Sequence, residues 1–160
     1  MTVVIFFNML LFKYSEIIMD KKRLTAPCGL ACFLCSIYEE NITEKEKKQV
    51  SDFLKIPPEK TPCKGCRDEK GNCRFGKNNS CPTWDCVNEK GVAFCNECRE
   101  FPCDKLRPTK NGVNFPHNMK MYNLCRMKLI GIENWIEEAD EIRKLYYEGK
   151  FQVGKGPIWE

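Results

Sequence analysis

The chain has 160 residues, 42% of them hydrophobic and 30% charged, and its 26 basic and 22 acidic side chains leave a formal net charge of +4. That length argues for one domain and excludes a large barrel enzyme, and so slight an excess of base is weak support for a nucleic-acid or other anionic partner. Twelve cysteines are far above ordinary usage, and an even count in a small chain fits either a disulfide framework or a metal scaffold.

Residues 2–12, TVVIFFNMLLF, are apolar with one Asn. A membrane-spanning helix needs about 20 residues. No Lys or Arg precedes the run and no small-residue cleavage site follows it, against a signal peptide. Met19, just ahead of Asp-Lys-Lys-Arg, would make a natural start. Residues 1–18 are therefore expected to be an N-terminal extension from a misassigned start, and 19–160 a single cysteine-rich domain. That domain divides into a metal-binding region at 24–108 and a helical appendage at 117–148. Without secretion the localisation read here is cytoplasmic, with no membrane partner, and thiols stay reduced there.

The stretch APCGLACFLCSIYEEN places Cys28, Cys32 and Cys35 at i, i+4 and i+7. If residues 28–37 are helical, the three thiols share one face. ITEKEKKQVSDFL reads as a helix, with Thr43 and Glu46 as a capping-box pair and an apolar edge of Val50, Phe53 and Leu54. Pro57 and Pro58 end it. Residues 61–108 hold eight cysteines and little apolar periodicity, so short turns are expected, with one-turn helices near Trp84–Lys90 and Cys103–Leu106. Few side chains there can offset a backbone ordering cost of about 1–2 kcal/mol per residue. From His117 the helical period returns. Met121 or Tyr122, Cys125 and Leu129 form one face, and after Gly131 come Ile132, Trp135, Ile136, Ala139, Ile142 and Leu145. Trp135 reads as a core anchor, and the tail FQVGKGPIWE as loose. The fold class expected is a small, irregular, metal-stabilised α(+β) domain with a helix–Gly–helix appendage.

Three C-x2-C pairs stand out, Cys32/Cys35, Cys63/Cys66 and Cys95/Cys98, with C-x4-C steps at Cys81/Cys86 and Cys98/Cys103. Two intervening residues let both sulfurs face one ion while backbone N–H groups turn toward sulfur, and Gly65 supplies the turn in CKGC. Repeated pairs of this kind point to metal over disulfides or redox thiols. Cys125, in an apolar helical stripe, reads as a buried packing residue. The other eleven do not divide into complete four-cysteine sites, so one site borrows His117, a carboxylate, water or Cys125, or one cysteine is a spectator. One partition uses Cys63, Cys66, Cys73 and Cys81 for one ion and Cys86, Cys95, Cys98 and Cys103 for another; interleaved ligands are equally compatible with the spacings. A Zn²⁺ held by four thiolates carries about −2. Three such sites would take the chain from +4 to about −2, so the pI of 8.4 describes the metal-free chain.

C-x3-C-x2-C is also the ligand spacing of radical SAM enzymes, but no glycine-rich SAM-binding segment follows. The bacterial ferredoxin run matches nowhere. Sulfur-only ligands nevertheless suit an iron–sulfur cluster as well as zinc.

Taken together, CGLACFLCSIY, CKGCR, CPTWDCVNEKGVAFCNECREFPCDKL and IGIENWIEE resemble the cysteine-rich family of bacteria and archaea called domain of unknown function 3795, over about residues 24–140. The resemblance implies metal binding and no established activity. It carries over Cys28, Cys32, Cys35, Cys63, Cys66, Cys73, Cys81, Cys86, Cys95, Cys98 and Cys103; Cys125 matches no motif position.

The leading functional reading is a zinc-stabilised module, with two or three Zn²⁺ sites and an accessory or protein-interaction role. Closed four-cysteine sites leave no coordination position for chemistry. One histidine, no H-E-x-x-H and no nucleophile elbow argue against an enzyme, and no catalytic residue is assigned. Glu39/Glu40 and Glu137/Glu138 read as solvated faces. The alternatives are an iron–sulfur redox component holding [4Fe-4S], and a nucleic-acid-binding zinc protein using DKLRPTK, MKMYNLCRMK and stacking by Phe75 and Trp84.

Overall fold

Five α-helices carry the described part of the chain: α1 (Thr2–Arg23), α2 (Glu44–Leu54), α3 (Pro82–Lys90), α4 (Met119–Ile130) and α5 (Ile132–Glu148). The only strands among the described residues, β1 (Lys150–Gln152) and β2 (Gly156–Ile158), pair antiparallel with Phe151 opposite Pro157. The computed structural model describes residues 2–72, 81–106, 119–152 and 156–158; Cys73, Phe75, His117 and most of DKLRPTK lie outside them. The domain is thus helical rather than α+β, and the tail expected to be loose carries this short antiparallel strand pair.

Local chemistry explains most boundaries. Thr43 accepts from the Glu46 N–H while the Glu46 carboxylate accepts from the Thr43 N–H, the expected capping box at the start of α2. Pro82 opens α3 where a missing N–H costs nothing. Lys21, Lys22 and Arg23 close α1 at the end where cations suit the helix dipole. Helices α4 and α5 meet at Gly131, and the Arg126 guanidinium forks onto both Glu138 carboxylate oxygens at 2.7 Å across the turn.

The core lies between the α4/α5 pair and the cysteine loops. Trp135 and Leu124 are fully enclosed, with Met127, Ile136 and Ala139 around them; Ala26, Cys28, Phe94 and Leu106 enter from the loops. Each such large apolar side chain contributes about 1.5–3 kcal/mol by burial. The cysteine region therefore has more interior than its sequence suggests, since Val87, Phe94 and Leu106 are all buried.

Helix α5 follows the expected stripe, with Trp135, Ile136 and Ala139 buried. Helix α4 does not. It buries Asn123, Leu124 and Met127, while Tyr122, Cys125 and Leu129 face outward, Leu129 at 76% exposure. Cys125 is thus an exposed thiol rather than a packing residue. The face was misread because apolar side chains surround α4, so periodicity alone cannot select a side. Helix α2 buries none of its residues, and Phe53 is 76% exposed.

The second half of α1 docks on α5: Lys22 Nζ lies 3.1 Å from Glu133 Oε1, Tyr14 donates its hydroxyl to the Glu137 carboxylate, and Ile18 packs on the core. The helix runs unbroken through Ile18 and Met19. Its first half exposes Phe6, Phe7, Met9, Leu11 and Phe12. No described helix is long and apolar enough to cross a membrane.

One contact seats the first cysteine loop on this frame. Asn123, buried on α4, donates Nδ2–H to the Gly29 carbonyl at 2.7 Å. Gly29 has φ +84°, and a Cβ there would lie 3.0 Å from Leu124 Cγ and 3.1 Å from the Lys120 carbonyl oxygen. Gly29→Ala is therefore expected to destabilise the protein by about 1–3 kcal/mol, read as a lower urea midpoint with unchanged m-value.

Candidate metal centre

Each C-x2-C pair is shaped by its backbone. Cys32 opens a 3-10 turn (Cys32–Leu34) that Cys35 closes, its N–H donating to the Cys32 carbonyl at 3.0 Å. Cys95 opens the same turn (Cys95–Glu97), closed by Cys98 with a 3.1 Å bond to the Cys95 carbonyl. The closing residues share extended backbone, φ −73°, ψ 132° at Cys35 and φ −70°, ψ 141° at Cys98. Residues 28–37 are therefore not one α-helix, and the three thiols do not share a helical face. Asn41 Nδ2 ties the first turn by donating to the Phe33 and Cys35 carbonyls; the Glu97 carboxylate ties the second by accepting from the Ala93 and Phe94 N–H groups. The third pair, Cys63/Cys66, turns instead at Gly65, φ +96°.

Four sulfurs accept from the amide two residues ahead. Gly65 N–H points at Cys63 Sγ and Glu100 N–H at Cys98 Sγ, both at 3.4 Å; Leu30 and Ile37 N–H do the same for Cys28 and Cys35. A hydrogen bond of this kind favours the thiolate, the form that binds metal.

The segments carrying these thiols are joined. Cys63 exchanges backbone bonds with the turn after Cys35, donating to the Ile37 carbonyl (2.8 Å) and accepting from Glu39 N–H (2.9 Å), so Tyr38 and Cys63 form an isolated parallel bridge. Cys95 N–H donates to the Pro27 carbonyl at 3.0 Å, joining the third segment to the first. Arg67, directly after Cys66, spans all three. It donates from Nε to the Thr25 carbonyl (2.9 Å) and from Nη2 to the Ala93 carbonyl (2.8 Å), with its guanidinium 4.6 Å from the centre of the Phe94 ring. Sequence reading passed over this residue; its position directly after a cysteine pair was the available signal.

Two groups of thiols result. In the first, Cys32 and Cys66 hydrogen-bond through their sulfurs. The Cys66 thiol, the nearby amides and Arg67 hold Cys32 below the ordinary thiol value, while the same contact and burial push Cys66 up. Cys63 lies near Cys66, and Cys35 near Cys32. In the second, Cys86 from α3 and Cys95, Cys98 and Cys103 from the following loops line one cavity of about 60 Å³. Burial first, then Cys28, Cys103, Cys86 and Cys98 beside it, pushes Cys95 up to about 12. Lys105 hydrogen-bonds the Cys86 sulfur at the rim. Cys28 sits between the groups at 8% exposure, pushed up by burial, with Cys81 as a neighbour. Cys63 and Cys66 thus lie with Cys32, and Cys81 lies by Cys28. Trp84, offered above as a base-stacking residue, packs on Gly71: a Cβ there would fall 2.3 Å from Trp84 Cγ.

No disulfide joins the described cysteines. As they stand, no three described His, Cys, Asp or Glu side chains converge closely enough to hold a metal ion. The donor chemistry nevertheless suits a thiophilic cation. The thiols are crowded so that each raises the cost of ionising the next, and a cation among them would remove that cost.

The sequence pattern of a family described as protein of unknown function (DUF3795) matches residues 24–108, more than half of the chain, and the chain belongs to that family. The matched span contains every cysteine except Cys125 and ends before α4 and α5. No curated protein and no solved structure matches the chain.

In metal-free, reduced protein, exposed Cys125 is expected to take up iodoacetamide well before buried Cys28, mapped by peptide mass spectrometry. Early labelling of Cys28 would mean that its loop is not seated on α4.

Proposed function

We propose that the chain is a thiolate metal-binding module, with zinc as its metal and an accessory or protein-interaction role. One centre draws on Cys32, Cys35, Cys63 and Cys66, the other on Cys86, Cys95, Cys98 and Cys103; Cys28, Cys81 and Cys73 remain for a third. The observation that carries this reading is the single cavity lined by Cys86, Cys95, Cys98 and Cys103, contributed by α3, a 3-10 turn and the loop after it. Three successive segments fold back to bring four soft donors to one space, with an ammonium group on one of them. The matching turns at Cys32–Cys35 and Cys95–Cys98, and amides aimed at sulfur, support the same assignment.

When bound, a four-thiolate zinc ion would supply folding free energy, apparently about 10–16 kcal/mol per site, and no catalytic position. The side chains gather and orient the sulfurs, and the amides stabilise their ionised form. An all-sulfur donor set also suits an iron–sulfur cluster, so metal identity is read by elemental analysis and visible spectrum on protein prepared without oxygen. Two or three zinc ions per chain and no colour are expected; a brown iron-containing protein would replace zinc with a cluster. A strong chelator under reducing conditions is expected to abolish cooperative thermal unfolding. Retained cooperativity in the chelated protein would overturn the structural-metal reading. Cys98→Ser is expected to lose one equivalent of zinc and leave the other centre loaded.

A further inference from the structure

We infer that Arg67 is the countercharge of the Cys32/Cys66 centre, a positioning residue that offsets its negative charge as well as fastening the three cysteine segments; this rests on the metal-binding reading above. Four thiolates around a divalent cation carry about −2, and placing that charge inside a protein is costly without a compensating group. Cys32 and Cys66 both pack against the hydrophobic core, where water can do little of the compensating. Arg67 is the cation beside Cys32 and Cys66, while Arg143 acts on Cys35 at the other end of the set. Arg67 is half-buried, it follows Cys66 directly, and the Cys32 and Cys66 sulfurs are among the negative groups acting on it. The other anion beside it, Glu97, is engaged by the Ala93 and Phe94 N–H groups.

The guanidinium lies over the Phe94 ring, and its two hydrogen bonds go to backbone carbonyls, of Thr25 and Ala93, rather than to a sulfur. Its charge is therefore fixed in position without any rearrangement when the sulfurs ionise. The second thiol set differs: its neighbouring cations, Lys90 and Lys105, are exposed at the cavity rim, where solvent already screens charge. The dependence on a protein cation should therefore belong to one centre only.

A purely mechanical fastening predicts something else. Lys and Gln at position 67 both keep N–H donors and both lose the fork, but only Lys keeps the charge. The test loads the full chain with Co²⁺ and measures each equivalent by its sulfur-to-cobalt absorption in competition with a chelator. Arg67→Gln is expected to weaken one equivalent about tenfold or more and spare the other, while Arg67→Lys recovers most of the loss. Equal loss in the Lys and Gln variants, loss from both equivalents together, or no loss would overturn the countercharge. A Gln variant that stays unfolded at saturating Co²⁺ while the Lys variant folds and loads no better than tenfold below the wild type would overturn it as well. Wild-type protein that takes up no Co²⁺ would remove the metal reading itself, and the inference with it.

Discussion

Crowded thiols in a low-dielectric setting are the constraint on which this architecture turns. Cys28, Cys32, Cys66 and Cys95 all pack into or against the hydrophobic core, and burial leads the causes that raise Cys28 and Cys95. Such groups cannot ionise together unless positive charge joins them. The chain supplies part of it: Arg67 beside Cys32 and Cys66, Lys105 on Cys86, and amide dipoles at Cys28, Cys35, Cys63 and Cys98. The proposed ion would supply the rest.

The rest of the fold serves to hold those thiols in place. Helices α4 and α5 form a support braced by the Arg126–Glu138 fork, and the first cysteine loop is fixed to it through Asn123 and Gly29. The second cysteine segment attaches to the first through the Cys63 bridge and Arg67, whereas the third joins the first through the Cys95–Pro27 bond and Arg67 and also packs on α4 and the core. The family match covers the three cysteine segments and stops short of their helical support.

Some elements were legible because one local rule decided them. Helix α5 has a single apolar stripe, and α2 a complete capping box. In α4 two faces competed, and a buried polar residue, Asn123, settled the matter by bonding a loop carbonyl 94 positions away. The terminal strand pair was missed because three-residue strands carry almost no periodic signal. Arg67 was missed because its place directly after a cysteine pair says nothing of its partners, the carbonyls 42 and 26 positions distant.

By itself the sequence determined the chemistry available to this protein: which residues are sulfur donors, their spacing in C-x2-C pairs, and membership in its family. Spacing encodes this because a tight turn and its N–H···S bonds are local. Only the tertiary structure decided which pairs face one another, that Cys28 lies between two thiol groups, and that Cys125 stands apart in solvent. Those outcomes depend on contacts between distant segments, through Cys63, Cys95, Asn123 and Arg67, and no local pattern specifies which distant partner a buried polar group will find.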